Sequence, residues 1–164
     1  MATDGVRFPN EAPSTSSSRA ELLKAEIGLR RQLEDVAALQ RALPLGGKVM
    51  EGYVFEEGGR DLDDHETKRQ VRLSELFRPG KDTLILYSYM FGPARRQSCS
   101  ACTSILDGLD GTATHVVRRV NFGVVAKSPI ERIRGVARER GWRNHRLLSS
   151  AENTYNTDYH GEDA

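Results

Sequence analysis

Neither sign of charge dominates this chain: 24 lysines and arginines face 23 aspartates and glutamates, for a formal net charge of +1. The balance gives no polyelectrolyte signal, so neither nucleic acid nor an anionic membrane is an expected partner. Long apolar runs are also missing. No stretch approaches the length of a membrane span, and the N-terminus lacks the hydrophobic segment of a signal peptide. Cysteine is scarce, with two in 164 residues. Together these point to a reducing cytoplasm, where a cysteine pair is catalytic, redox-sensing or metal-binding sooner than a structural staple.

Both cysteines fall in one stretch. Leu84-Ile85-Leu86-Tyr87-Ser88-Tyr89-Met90 is a short apolar run rich in strand formers. A loop with Gly92, Pro93, Arg95 and Arg96 follows, then Cys99-Ser100-Ala101-Cys102. Ile105, Leu106 and Leu109 continue at helical spacing. The pair therefore sits where a strand gives way to a helix. Residues three apart share a helix face, so Cys99 and Cys102 can reach one another. Cys99 falls at the helix start, where unpaired N–H groups favour negative charge. A free thiol titrates at about 8.5, and a helix N-terminus or nearby cations lower it. This predicts Cys99 as nucleophile, Cys102 as resolving thiol, and Arg95 and Arg96 as supporting cations.

Other readings of the pair stay open. C-x-x-C is also half of a zinc site, which needs two more ligands. His115 follows at a finger-like distance, but no second histidine comes within five residues, and His65, His145 and His160 share no local pattern. The two thiols can also be idle packing. A peroxiredoxin site needs Thr or Ser three residues before the reactive cysteine, and Arg96 stands there. No metal and no cofactor is implied.

Around this centre the chain reads as one domain with tails. Residues 1–17 read as a disordered leader and 18–46 as an amphipathic helix. That helix opens with the capping box Ser18-Arg19-Ala20-Glu21, carries a stripe from Leu22 to Leu43, and ends at Pro44 and Gly46-Gly47. The stripe docks on the host domain or forms a dimer or partner surface, and the first is preferred. The host domain spans 47–150, and 151–164 reads as a polar tail with Tyr155 and Tyr159. Met50–Phe55 and Gln70–Leu73 read as a hairpin, with Glu56-Glu57-Gly58-Gly59 as its turn signal and Arg60–Arg69 as a solvated loop. Ser74–Phe77 reads as a helical turn. Gly108 and Gly111 loosen the chain after the dithiol helix, and Val116–Ala126 reads as a strand. Ser128-Pro129-Ile130-Glu131 is a second capping box, and Gly141 ends the helix it opens. Trp142 is a packing anchor, and residues 146–150 form a short strand. Strand, helix, strand, helix, strand predicts parallel neighbours at the centre of a sheet, with helices over its faces. A C-x-x-C opening the first helix is the thioredoxin-type arrangement.

Short matches in one order carry a family resemblance. They are Arg41-Ala42-Leu43-Pro44, Leu73-Ser74-Glu75-Leu76-Phe77, Tyr89-Met90-Phe91-Gly92-Pro93, Cys99-Ser100-Ala101-Cys102, Leu106-Asp107-Gly108, Glu139-Arg140-Gly141-Trp142, Leu148-Ser149-Ser150, and Asn153 with Tyr155, Asp158 and Tyr159. From about Leu33 to Tyr159 the chain resembles domain-of-unknown-function family 899 (DUF899). That is a thioredoxin-like group of predicted dithiol–disulfide oxidoreductases. The resemblance implies an α/β thioredoxin-like fold with an added N-terminal helix and hairpin. Ser100 replaces the proline usual after the first cysteine. The C-terminal hairpin and cis-proline loop of such folds have no counterpart here, which reads as a truncated member with an uncovered sheet edge.

Two functions compete on this reading. One is thiol–disulfide exchange at Cys99 and Cys102, with a protein or small-molecule thiol or disulfide as partner. The other is a non-catalytic thioredoxin-like binding module. The oligomeric state is not legible.

Overall fold

A computed structural model describes residues 8–49 and 52–161. The chain divides into two units, one ending at Lys48 and the other beginning at Val49. In the first, α1 runs Pro13–Ala42 with Ala12 as N-cap. It starts five residues before the expected box at Ser18, because proline at the first helical position is preset for helix and loses no needed N–H. Nearby, Arg19 pairs with Glu11 at 3.2 Å and stacks on the Phe8 ring.

In the second unit the elements alternate. Strands β1 (Val54–Gly58) and β2 (Lys68–Arg72) precede a 3-10 turn at Leu73–Leu76. Then come β3 (Leu84–Ser88), α2 (Ser100–Val116), β4 (Asn121–Ala126), α3 (Ile130–Arg140), β5 (Leu147–Ser149) and α4 (Tyr155–Asp158). The sheet order is β2-β1-β5-β4-β3. β3, β4 and β5 are parallel, and β1 runs antiparallel to both β5 and β2. This is a mixed α/β architecture consistent with a thioredoxin-like fold.

The two expected parallel strands are neighbours, with Leu86 opposite Gly123 and Tyr87 opposite Val124. β4 is interior, but β3 stands at the sheet edge and not at the centre. Among the described residues no strand lies beyond it. The helices differ from expectation too. Each crossover steps the same way along the sheet, so two right-handed connections put α2 and α3 on one face. Leu106 of α2 and Ile133 and Ala137 of α3 share a core with Val124 and Ala126. Val125, one residue out of phase, belongs to the opposite core with Phe55, Leu76 and Leu148.

That second face explains the C-terminal residues. Tyr155 is buried, with its ring 5.5 Å from Tyr53 and 5.3 Å from Phe55, both edge-on. Tyr53 donates its hydroxyl to Asp158 Oδ2 at 2.8 Å. Aromatic burial thus converts an expected polar tail into the turn of α4.

Smaller differences have local causes. β1 takes in Glu56, Glu57 and Gly58, because Glu57 accepts from Arg69 at 2.7 Å and from Arg146 at 2.8 Å. Positions 50 and 51 of the expected strand lie outside the described residues. α2 runs straight through Gly108 and Gly111 to Val116, and the strand expected from 116 begins at Asn121. The box at Ser128 does not form; Pro129 is the N-cap, and Ser128 is buried. Gly141 closes α3 in the left-handed region, at φ 72°.

Candidate functional site

α2 starts where the loop after β3 turns back on itself. Cys99 is its N-cap, in extended geometry, and the N–H of Thr103 makes the first helical bond to Cys99 O at 2.9 Å. The cysteine is held from both sides. Its N–H donates to Met90 O at 3.2 Å. On its carbonyl, Thr103 Oγ1 donates at 2.8 Å. With that proton committed, Tyr89 must be the donor in its 2.8 Å contact with Thr103 Oγ1. Tyr89 is buried against Phe91 and Trp142, so a core side chain fixes the helix start. Trp142 is the anchor expected; its indole N–H donates to Asp107 Oδ1 at 2.7 Å.

Cys99 and Cys102 are both half-buried free thiols, close together at the start of α2. The Cys99 sulfur makes no formal cap hydrogen bond. It still lies within the field of the helix end. The backbone N–H and the thiol of Cys102, with the N–H of Ala101 and then the Arg95 charge, hold Cys99 below the usual thiol range against a smaller desolvation effect. The helix N–H groups dominate and Arg95 contributes least. Arg96 is exposed and is not among the main causes of this shift.

Two residues near the thiols carry no sequence signal of their own. Tyr87 is pushed up to about 12, first by burial, then by a hydrogen bond with Cys102 and the charges of Cys102, Cys99 and Tyr89. It shares a strand face with Tyr89, and that alternation is the only hint a reader of the sequence has. The second is Arg132, on α3. Its guanidinium donates to Pro93 O at 3.2 Å and Arg95 O at 2.5 Å, and lies 4.5 Å over the Phe91 ring. One cation from a distant helix thus clamps the loop that carries Arg95.

The histidines do not assemble with the cysteines. His145 gives Nε2 to Leu106 O at 2.9 Å, deep in the fold, and His65, His115 and His160 are exposed. Among the described residues no three His, Cys, Asp or Glu side chains come together as a metal site. Among the same residues no helix is long and apolar enough to cross a membrane.

Residues 9–164 match the family described as a bacterial protein of unknown function, DUF899. No curated protein and no solved structure matches the chain.

Proposed function

The chain belongs to the DUF899 family, and from the geometry of its two cysteines we propose that it is a thioredoxin-like dithiol–disulfide oxidoreductase. Cys99 is the nucleophile and Cys102 the resolving thiol. The observation that carries this reading is the Cys99 thiol at the start of α2, held below its ordinary range by the N–H groups of that helix.

The thiolate, not the thiol, attacks a disulfide, and the best attacker titrates near ambient pH. Cys99 Sγ⁻ attacks one sulfur of a substrate R–S–S–R′. A Cys99–S–S–R bond forms and R′–S⁻ leaves, taking a proton from solvent. Cys102, having lost its proton to solvent, then attacks Cys99 Sγ and expels R–S⁻. The dithiol gives up two electrons and becomes the Cys99–Cys102 disulfide; the substrate is reduced to two thiols. An external thiol reductant reverses the sequence. Tyr87 supports the second step, since a phenol that keeps its proton can hydrogen-bond to the Cys102 sulfur.

The test is a trapped intermediate. The Cys102→Ser variant, exposed to a small oxidised disulfide, is expected to show a mixed disulfide on Cys99 by mass spectrometry, and Cys99→Ser to lose reduction altogether. No adduct, with alkylation of Cys99 at the rate of an ordinary thiol, overturns the redox reading in favour of a non-catalytic binding module.

A further inference from the structure

The sheet has two edges, and they are not alike. β2 forms one, and its five residues include Lys68, Arg69 and Arg72, all exposed. Charged side chains of that kind keep an edge from pairing with another chain. β3 forms the other, and Leu84–Ser88 holds no charged residue and no proline.

The open side of β3 follows from its paired side. Thr83 O accepts from the Asn121 N–H at 2.8 Å, and the Tyr89 N–H donates to Val125 O at 2.8 Å. Successive residues of a strand turn their N–H and C=O to opposite sides. The odd-numbered residues therefore face β4, and Leu84, Leu86 and Ser88 direct theirs away from the sheet. Among the described residues none of those three finds a backbone partner on that side. Apolar surface flanks this edge on both faces. Leu84 and Leu86 line a groove with Phe77 and Tyr159, which are 40% and 51% exposed. Ile85 lies on the other face and is 46% exposed. Apolar patches beside an unpaired edge mark a surface that another chain covers.

The strand fits itself. In an antiparallel pair with a two-fold axis at Leu86, Leu86 and the partner's Leu86 exchange N–H and C=O bonds, and Leu84 does so with the partner's Ser88. Every outward group of the three residues is then paired. A slip of two residues either way leaves some of them stranded. Ile85 meets the partner's Tyr87, a β-branched residue against an aromatic, and no like charges are opposed. On the groove side Leu84 and Leu86 carry one apolar face across the junction. The cations of β2 keep that edge from pairing in turn, so the association closes at two copies and does not grow into a filament.

We propose that β3 is the contact between two copies of this chain, joined antiparallel across Leu86 into one continuous sheet. The contact concerns the sheet alone and stands or falls without the thiol chemistry.

Sedimentation of the full chain with reductant present is the first readout, from about 1 μM to about 1 mM, the range in which a small interface associates. A dimer that dissociates on dilution is expected. Ile85→Lys puts a charge into the junction at an exposed position, and is expected to weaken the dimer by roughly tenfold or more while leaving far-UV circular dichroism unchanged. The second readout is oxidative crosslinking in a Cys99→Ser/Cys102→Ser background. Paired Leu86 positions lie about 5.5 Å apart between Cα atoms, within reach of a disulfide, whereas the two Ile85 positions are diagonal and about 7–8 Å apart. Leu86→Cys is therefore expected to crosslink into a dimer much faster than Ile85→Cys. A monomer at every concentration overturns the contact and leaves the edge to an extended segment of another protein. A dimer that Ile85→Lys does not weaken overturns it in favour of another surface, and equal crosslinking of the two cysteine variants overturns the pairing across Leu86.

Discussion

Glu57 and Arg146 meet across 89 residues of chain, Nε to Oε1 at 2.8 Å and Nη2 to Oε2 at 3.1 Å. The pair fastens β1 to the residue before β5, and Arg69 adds a second guanidinium to the same carboxylate. Burial alone raises the pKa of Glu57. The hydrogen bonds and charge of Arg146, then of Arg69, outweigh it and leave the carboxyl below its ordinary value.

A depressed folded-state pKa fixes the sign of the pH dependence. The contribution of Glu57 is present in full above the unfolded-state value, near 4.3, and is lost as pH falls through the folded value. Glu57→Gln is expected to cost about 2 kcal/mol at pH 7, since breaking a partly buried pair strands two arginines. It is also expected to flatten the loss of stability between pH 5 and pH 3. Urea denaturation at both pH values checks this. An unchanged acid slope would assign the acid sensitivity elsewhere.

The parts of this fold that local chemistry writes were legible in the sequence. β4, α3, the Gly141 cap and the dithiol at a strand-to-helix junction all follow from short-range patterns. What was hidden depends on partners far along the chain. Nothing beside Arg132 announces that it reaches the carbonyls of Pro93 and Arg95. Tyr155 reads as a lone aromatic in a polar tail until Tyr53 and Phe55 are folded against it. β3 reads as a central strand because its composition is that of one: Leu84–Ser88 has no charge and no proline to mark an edge.

α2 offers a test of the opposite kind, where the sequence misleads for want of a steric reason. Gly108 and Gly111 are exposed inside the helix, and a Cβ at either would meet nothing within 4 Å. Glycine there carries only an entropic penalty. Gly108→Ala and Gly111→Ala are each expected to stabilise the protein by about 0.5–1 kcal/mol. Thermal denaturation of the single and double variants reads this directly as a rise in Tm. A fall in Tm would mean that α2 needs the flexibility of those glycines.

The last prediction separates the cations around Cys99. Arg95 is among the main groups that lower the thiol, behind the N–H groups of the helix, and Arg96 is not one of these main groups. Arg132 holds the Arg95 carbonyl and the Phe91 ring and is not among the main groups that lower the thiol, which makes it a positioning residue. Removing the Arg95 charge raises the Cys99 pKa and leaves less thiolate at pH 7. Because the charge is exposed, Arg95→Gln is expected to slow alkylation of Cys99 at pH 7 by only roughly twofold, with Arg96→Gln indistinguishable from wild type. Arg132→Gln is expected to act in the same direction as Arg95→Gln, and the two changes together to be no worse than the stronger alone, because the first works through the second. Arg132→Lys keeps the charge but cannot reach both carbonyls with one fork, so it is expected to rescue incompletely. The pH profile of alkylation in the Cys102→Ser background is the readout. Additive effects of Arg95→Gln and Arg132→Gln would show that Arg132 acts on the thiol by its own charge, and an effect of Arg96→Gln equal to that of Arg95→Gln would replace the specific placement of Arg95 with a diffuse positive field.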